Sequence, residues 1–291
     1  MAELRNVFIT GCGTGIGKCL LQEFNRPGFR VFATVRESTF KAFKKNLPSG
    51  AAEIHPHILD VTDLDMGTNV IRQIAAQFGT IDVLINNAAI SYRTVVEEMS
   101  EPDEAIQMAT NYLGPMHLVR LVLPGMRKKG KGHIINVSSV GGMMAMPTMS
   151  AYSASKFALE GASEALWYEV KPFGIHVTLV RPGFINSNAF RRVIYGQGSN
   201  PQNPSGAYFQ HYKNMSGFIE KLMTRTPCTP ESAARKIYQI SCMKNPPLRV
   251  SGTPDALFFS FLRRMLPRRM YHWLLYRLLP GIKHWGKGGS A

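Results

Sequence analysis

A tyrosine and a lysine, Tyr152 and Lys156, stand four residues apart in the stretch SAYSASKFALEG. Residues at this spacing share one face of a helix, so both side chains can enter the same cleft. A phenol, with a pKa of about 10, transfers protons poorly at neutral pH, and a neighbouring ammonium favours the phenolate and lowers that pKa. The pair therefore predicts a tuned acid/base, although the same spacing also arises by chance on amphipathic helices.

Polar residues upstream strengthen this prediction. Ser139 lies thirteen residues before Tyr152, at the end of the apolar run GHIINVSS, where a hydroxyl can hydrogen-bond the reacting oxygen. Adjacent side chains on a strand face opposite ways, so only one of Ser138 and Ser139 can reach the site, and the spacing favours Ser139. Asn111, in the stretch TNYLG, is a further polar candidate.

A glycine-rich loop, TGCGTGIG at residues 10–17, follows the first apolar run and opens a helix. Glycines at 11, 15 and 17 allow a tight turn and a close approach of the backbone to a pyrophosphate, and the helix N-terminus supplies amide donors. Many turns between a strand and a helix use glycine, but the position of this one is the context that dinucleotide binding requires. The loop therefore predicts a dinucleotide-binding site.

The residue after the second apolar run distinguishes the two nicotinamide dinucleotides. Arg36 follows FRVFATV directly, where many NAD-binding folds carry an acid that accepts from the ribose 2′-hydroxyl. A guanidinium suits a 2′-phosphate, whereas an acid would repel it. We therefore predict NADP(H), with NAD(H) as the alternative because Glu37 stands beside Arg36.

Strand-like and helix-like patterns alternate around these motifs. Apolar runs end near the glycine loop, Arg36, Asp60, the NNAA stretch at 86–89, Ser139 and Pro182, and LRVSGT (248–253) is a further strand candidate. Helical spacing follows the glycine loop and recurs at 65–79, 101–129 and 151–171, with breaks near Gly114–Pro115 and Pro124–Gly125. This alternation predicts an α/β fold: one Rossmann-type doubly wound parallel sheet with helices on both faces and a C-terminal helical extension.

Composition and charge limit the protein class. The 291 residues are 45% hydrophobic and carry a net charge of +15, yet no nucleic-acid motif is visible. The four cysteines form no CxxC pair, so neither a disulfide scaffold nor a metal site is predicted. The N-terminal stretch lacks the features of a signal peptide, and no run approaches the roughly 20 apolar residues that span a bilayer. We expect a cytoplasmic protein, or one at a membrane surface facing the cytosol.

Together these motifs resemble the short-chain dehydrogenase/reductase family over residues 5 to 190 and the strand candidate at 248–253. TGCGTGIG, NNAA, YSASK and RPGFINS are similar to its cofactor loop, its NNAG motif, its YxxxK pair and its PG motif, with Ala89 where glycine is usual. The resemblance implies that Tyr152 is the general acid/base and that Ser139 positions the reacting oxygen. It implies that Lys156 lowers the tyrosine pKa and binds the nicotinamide ribose, and that Asn111 holds a water joining Lys156 to solvent.

The resemblance also implies a cofactor-binding set. Asp60 would bind near the adenine, and Asn86 would support the backbone on the cofactor side. The full set is Gly11, Thr14, Gly15, Ile16, Gly17, Arg36, Asp60, Asn86, Ala88, Tyr152, Lys156, Pro182, Gly183 and Ser187.

Within the family, residues 139–177 are most similar to the 17β-hydroxysteroid and retinol dehydrogenase branch, which implies a secondary alcohol or ketone of a bulky, lipophilic molecule. The expected substrate contacts are Ser139, Met143, Met149 and Tyr152; flexible thioethers suit an irregular apolar ligand, or serve ordinary packing. Two alternatives remain: a 3-oxoacyl thioester reductase, which shares the core motifs, and a cofactor-binding scaffold or redox sensor without turnover.

The same family resemblance predicts the domain organisation. Residues 1–253 are expected to form the catalytic domain, with a substrate lid at 184–247, and 254–291 a basic amphipathic extension. Residues 256–285 contain no acid and divide at Pro267 and Pro280 into two short helices. This tail is either an interfacial membrane anchor or a lid or subunit contact. Its cations are Arg263, Arg264, Arg268, Arg269, Arg277 and Lys283, with Lys287 just beyond. The family resemblance implies a homodimer or homotetramer.

Overall fold

The computed structural model describes residues 4–187 and 193–286; Lys287, counted above among the tail cations, lies outside them. Seven parallel strands form one sheet in the order β3-β2-β1-β4-β5-β6-β7, which confirms the predicted fold class and all seven strands. They are β1 (Arg5–Ile9), β2 (Phe29–Val35), β3 (Glu53–Ile58), β4 (Val83–Asn86), β5 (Gly132–Val137), β6 (Ile175–Arg181) and β7 (Arg249–Ser251). The order reverses between β1 and β4, and ligands bind parallel sheets at the carboxyl side of such a switch point.

Helices cover both faces of the sheet. The described helices are α1 (Gly15–Phe24), α2 (Glu37–Lys45), α3 (Leu64–Phe78), α4 (Glu101–Met108), α5 (Gly114–Lys129), α6 (Ser150–Val170), α7 (Phe209–Arg225), α8 (Pro230–Ser241), α9 (Pro254–Met265) and α10 (Arg268–Leu278). One core contains buried residues of α1 and α8, and the other contains those of α3, α5 and α6. The sheet is thus sealed on both sides, and its carboxyl edge remains for the site.

The helical path from 101 to 129 differs from the predicted one. Between α4 and α5, residues 109–113 form a π-helical turn, and the chain continues in helix without a break. Pro124 lies inside α5 without ending it. Because Arg120 and Pro124 are both exposed, the carbonyl that loses its helical partner at Pro124 faces water. The breaks that we predicted at Gly114–Pro115 and Pro124–Gly125 are therefore absent.

Helix α8 lies within the range 184–247 that the sequence assigns to a lid, but it belongs to the core. Ala234 and Ile237 are fully buried in the cluster that also contains α1 residues. The lid prediction therefore applies only to the part of this range that precedes α8, which includes α7.

The tail forms two short helices, as predicted, and folds back onto the protein. Ala256 and Tyr271 are buried against Val140, Met143 and Met144, in the segment that follows β5. Trp285 is buried against α7 residues. No helix among residues 4–187 and 193–286 is both long enough and apolar enough to span a bilayer.

Candidate active site

Tyr152 and Ser139 meet at the carboxyl edge of the sheet. Ser139 follows β5, and its Oγ accepts a hydrogen bond of 3.0 Å from the amide of Gly141. This leaves the serine proton available, and the Ser139 and Tyr152 hydroxyls share a hydrogen bond. The tyrosine ring lies over Gly141, where a Cβ atom would stand 2.9 Å from Cε1 of the ring. Ser138 instead directs its Oγ toward Gly142, so the spacing argument for Ser139 agrees with the geometry.

Lys156 lies on the same helix as Tyr152 and is buried. Its Nζ donates to the Val137 carbonyl over 2.9 Å and stands 5.9 Å from the centroid of the Tyr152 ring. Burial lowers the pKa of Lys156 to about 8, and the nearby Glu160 carboxylate opposes that shift.

The pKa of Tyr152 differs from our expectation. Burial raises it, and the hydrogen bond with Ser139 is the influence that lowers it. The ammonium of Lys156 does not reverse the direction because it is directed at the Val137 carbonyl, at the end of β5. A lower phenol pKa therefore requires a different position of the Lys156 ammonium from the one seen here.

Asn111 connects the loop after β4 to the catalytic helix. It lies in the π-helical turn and is fully buried. Its Oδ1 accepts from the amide of Ile90 over 2.9 Å, and its Nδ2 donates to the Ile90 carbonyl and to Ser155 Oγ, each over 3.0 Å. Ser155 precedes Lys156 and donates to the Tyr152 carbonyl over 2.7 Å. Asn111 thus fixes the backbone beside both catalytic candidates, and its role in holding a water stays a prediction.

The glycine loop has the steric requirement that a dinucleotide cradle needs. Gly11 has φ = +72°, and a Cβ atom there would stand 2.9 Å from Ala88 Cα. A Cβ atom at Gly17 would stand 2.1 Å from the Gly11 carbonyl oxygen. Thr14 precedes α1 without capping it through its side chain, so the first amides of α1 are left to an external anion. The residues present therefore fit a pyrophosphate group.

Support for this loop comes from Asn87, whereas we predicted it from Asn86. The Asn87 side chain donates to the carbonyls of Thr10 and Gly11, over 2.9 and 3.2 Å. Asn86 is buried one residue earlier and donates to Asn136 Oδ1 over 2.9 Å. Successive side chains of a strand face opposite sides, so only the residue after β4 can reach the loop.

The loop lies beside the end of β2, where Arg36 is exposed. The Cys12 amide donates to the Thr34 carbonyl over 2.8 Å, and a Cβ atom at Gly13 would lie 3.5 Å from Val35. Arg36 makes no ion pair with any described residue. At the end of β3, Asp60 Oδ1 accepts from the amide and the hydroxyl of Thr62. The roles of Arg36 and Asp60 in cofactor binding stay predictions.

The PG motif is joined to the start of the tail. The Gly183 amide donates to Thr253 Oγ1 over 2.8 Å, and the Phe184 amide donates to Asp255 Oδ2 over 2.9 Å. A Cβ atom at Gly183 would stand 1.9 Å from that carboxylate. Nothing in the sequence indicated Thr253 and Asp255, because the contact joins residues about 70 positions apart. Ser187, which we also predicted to bind the cofactor, is the last residue of the described range 4–187, and its role stays a prediction.

Comparison with known proteins agrees with this geometry. The sequence profile described as short chain dehydrogenase matches residues 5–196. This chain belongs to the short-chain dehydrogenase family. It is similar to 3-ketodihydrosphingosine reductase of Bacteroides thetaiotaomicron, with 35% identity over 272 residues that cover 92% of this chain and 96% of that protein.

Solved structures give the same assignment. A short-chain dehydrogenase from Streptomyces avermitilis superposes with a TM-score of 0.76 and 30% identity, over 94% of this chain and 97% of that one. The structure of ElxO with NADP bound has a TM-score of 0.70 and 27% identity, over 86% and 98% of the two chains. The family that we identified from the motifs is therefore confirmed. Ala89 stands where glycine is usual in the family. Its φ is not positive, because Thr148 alone among the described non-glycine residues has a positive φ, so alanine is accommodated at position 89.

In this short-chain dehydrogenase, apolar side chains pack around Tyr152 and Met143. Met149, which we predicted as a substrate contact, is buried in one cluster with Met215, Ile219 and Trp285, and the Tyr152 ring packs against that cluster. Met143 belongs to a second cluster, where it contacts the tail. Helix α7 and the tail therefore cover the site with packed apolar side chains, hereafter the apolar cover.

Proposed function

We propose that this short-chain dehydrogenase is an NADP(H)-dependent oxidoreductase that interconverts a secondary alcohol and a ketone on a bulky, lipophilic substrate. The observation that carries the proposal is the apolar cover, in which Met149, Met215 and Trp285 form a cluster against the Tyr152 ring. Burial of an apolar ligand there would supply binding energy, and the polar hydroxyls of Tyr152 and Ser139 would orient its oxygen. The similarity to a 3-ketodihydrosphingosine reductase supports a substrate with a long apolar chain.

The cofactor assignment rests on the cradle and on charge. The glycine loop fits a pyrophosphate, and the exposed guanidinium of Arg36, at the end of β2, would match the charge of a 2′-phosphate. The similarity to ElxO, whose structure has NADP bound, supports the same assignment. When bound, the dinucleotide exchanges a hydride with the reacting carbon.

Residues of this chain transfer the proton to or from the substrate oxygen. Tyr152 donates to the ketone oxygen, or accepts from the alcohol, at its hydroxyl. Ser139 keeps its own proton directed at the same oxygen, because its Oγ already accepts from Gly141. Lys156, near neutrality in pKa, gives up or takes a proton readily behind Tyr152. Asn111 holds the backbone on which both residues lie.

The proposal is tested with steroids, retinoids, long-chain ketones and alcohols, and 3-oxoacyl thioesters, scored by NADPH oxidation or formation. Tyr152→Phe is expected to lower kcat by about 10²-fold or more while NADPH affinity is retained, because proton transfer by a positioned side chain contributes roughly that much. Selective turnover of acyl thioesters would favour the thioester reductase. Absence of turnover with every compound, together with tight NADPH binding, would favour the scaffold.

We also propose that the outer face of the tail rests on a membrane surface containing anionic lipid. While the inner face of the tail packs against Val140, Met143 and Met144, large apolar residues on its outer face are more than half exposed. They are Leu257, Phe258, Phe261, Met265, Met270, Trp273, Tyr276 and Leu278. Among them stand exposed arginines and no acid after Asp255. An apolar face with interspersed cations matches the boundary between acyl chains and anionic headgroups.

A vesicle assay tests this membrane contact. Binding to vesicles of phosphatidylcholine with phosphatidylserine is expected to weaken with salt, and to be lost when Arg263, Arg264 and Arg268 are changed to glutamate. The matched control changes Lys41, Lys44 and Lys45 of α2 to glutamate and is expected to bind almost as wild type. Attachment that persists through the tail reversal refutes the electrostatic contact. A change of oligomeric state without any vesicle binding would identify the tail as a subunit contact.

We further propose that the protein is a homodimer or homotetramer that uses α5 and α6. Phe157 and Tyr168 of α6 and Leu113, just before α5, are exposed apolar side chains on these helices. Gly161 and Ala165 are exposed small residues of α6, which allow close helix packing. Light scattering at micromolar concentration tests the assembly, and a monomer would refute it. Tyr168→Glu is expected to dissociate the oligomer.

A further inference from the structure

Arg93 lies on an extended segment, residues 90–95, that forms a wall beside the catalytic helix. Asn111 holds the segment at Ile90, as described above. The Arg93 amide donates to the Ile194 carbonyl over 2.8 Å. The next residue, Thr94, pairs with Met149, which packs against Tyr152. The segment therefore connects the catalytic region to the backbone of the lid.

The side chains of Tyr92 and Thr94, on either side of Arg93 in the sequence, both lie on one face of this segment. The Tyr92 hydroxyl bonds Asp103 of α4, and Thr94 Oγ1 accepts from the amide of Gly196. Both Tyr92 and Thr94 are in β-bridges, and side chains alternate along extended backbone. Arg93 therefore projects to the side opposite Tyr92 and Thr94.

The guanidinium of Arg93 is buried without a counter-charge. The residue is 9% exposed, its Nε has no hydrogen-bond partner, and its side chain makes no ion pair or hydrogen bond with any residue of 4–187 and 193–286. Desolvation lowers its pKa. A buried, unpaired cation is costly, and natural proteins rarely keep one without a ligand or partner.

The carboxylates on the neighbouring segments already accept hydrogen bonds from other residues. Glu97 accepts from Tyr208, and Glu98 accepts from Tyr212 over 2.6 Å. Asp103 accepts from the Ser100 hydroxyl over 2.7 Å and from the Gln197 amide over 2.9 Å. None of these three acids is therefore left to pair with Arg93, and the described group that acts on its charge is the Tyr195 phenol.

We propose that Arg93 binds an anionic group of the substrate, so that the substrate is an amphiphile with an apolar chain, a ketone or alcohol, and a carboxylate or phosphate. The planar guanidinium offers paired donors that match the oxygens of either anion, and desolvation strengthens that contact. The proposal rests on the proposed function, since it names the chemistry of the same substrate. It also predicts discrimination against ammonium-bearing substrates.

Three ketones with one alkyl chain and a phosphate, a carboxylate or a hydroxyl at the same position test this proposal. Wild type is expected to show the highest kcat/KM with one of the two anions, and the comparison of these two identifies which anion is bound. Arg93→Gln is expected to lower that value by about tenfold or more, the scale of one charge-assisted contact, and to change the hydroxyl compound by less than about twofold. Arg235→Gln, an exposed arginine of α8, is the matched control.

A binding measurement keeps the test independent of turnover. Calorimetry compares dodecyl phosphate, dodecanoate and dodecanol with wild type, Arg93→Gln and Arg93→Lys, each saturated with NADPH to show that the fold is intact. Binding of dodecyl phosphate or dodecanoate by wild type and Arg93→Lys, with loss of that binding in Arg93→Gln, supports the site. This result stands even if no ketone is reduced and the proposed function fails. Equal losses for charged and neutral ligands would identify Arg93 as a packing residue, overturning the proposal while the proposed function stands.

Discussion

Replacing Lys156 with methionine should change how stability depends on pH. The folded-state pKa of this lysine is about 8, against an ordinary value of 10.5, because burial disfavours the ammonium. The unfolded chain therefore binds more protons at this position between these values. The contribution of Lys156 to stability is present above the unfolded pKa and is lost as pH falls through the folded pKa. Methionine, which is apolar and of similar length, has no such dependence.

The magnitude follows from the two pKa values. Integrating the proton-binding difference from pH 7 to pH 9.5 gives a gain of about 2 kcal/mol for wild type relative to the variant. The lost hydrogen bond to Val137 is worth about 1 kcal/mol, but it is independent of pH and cancels in the comparison. In melting temperature the gain corresponds to several degrees, at about 2–4 °C per kcal/mol for a chain of this size.

Denaturant unfolding of the cofactor-free protein at pH 7 and pH 9.5 measures this difference. Lys221→Met, an exposed lysine of α7, serves as the control and should follow wild type at both values. Glu160 complicates neither variant, because it remains paired with Arg181 and Arg249 when Lys156 is gone. Parallel stability curves for wild type and Lys156→Met would refute the argument that the buried ammonium costs stability at neutral pH.

Two further substitutions test the cofactor site. Arg36→Asp should shift the ratio of kcat/KM for NADPH and NADH toward NADH by about tenfold or more, the scale of one lost charge-assisted contact, and a wild type that already prefers NADH would contradict the role of Arg36. Gly17→Ala should abolish NADPH binding measured by fluorescence titration, since its Cβ would stand 2.1 Å from the Gly11 carbonyl. Gly217→Ala in α7, where a Cβ atom would meet nothing within 4 Å, is the control and should bind normally.

Much of the fold is readable from local patterns. The inner strands of the sheet are largely apolar runs that end near polar or glycine residues, because both of their faces are buried, whereas the edge strands β3 and β7 have no buried residue. Helix α2 was missed because none of its residues is buried and lysines dominate its end. Helix α7 was missed within the lid, although Tyr212, Met215 and Ile219 are its buried residues at helical spacing.

The candidate site, like the fold, could be predicted from the sequence only where local patterns define it. Ser139, Tyr152 and the glycine loop are recognisable because their spacing is local or repeats a known motif. The direction of the Tyr152 pKa and the support of the loop by Asn87 depend on burial and side-chain orientation, which the sequence does not display. The isolation of Arg93 depends on where every acid of the neighbouring segments is directed, so only coordinates could reveal it.

The bonds from Thr253 and Asp255 to the amides of Gly183 and Phe184 have a practical consequence for engineering. The tail is not a detachable module, because the residues directly before it accept hydrogen bonds from the backbone of the PG motif. A chimera that exchanges tails between relatives must therefore transplant residues 183–184 and 253–255 together. Truncation after Thr253 would remove one of these two bonds at once and uncover Met143.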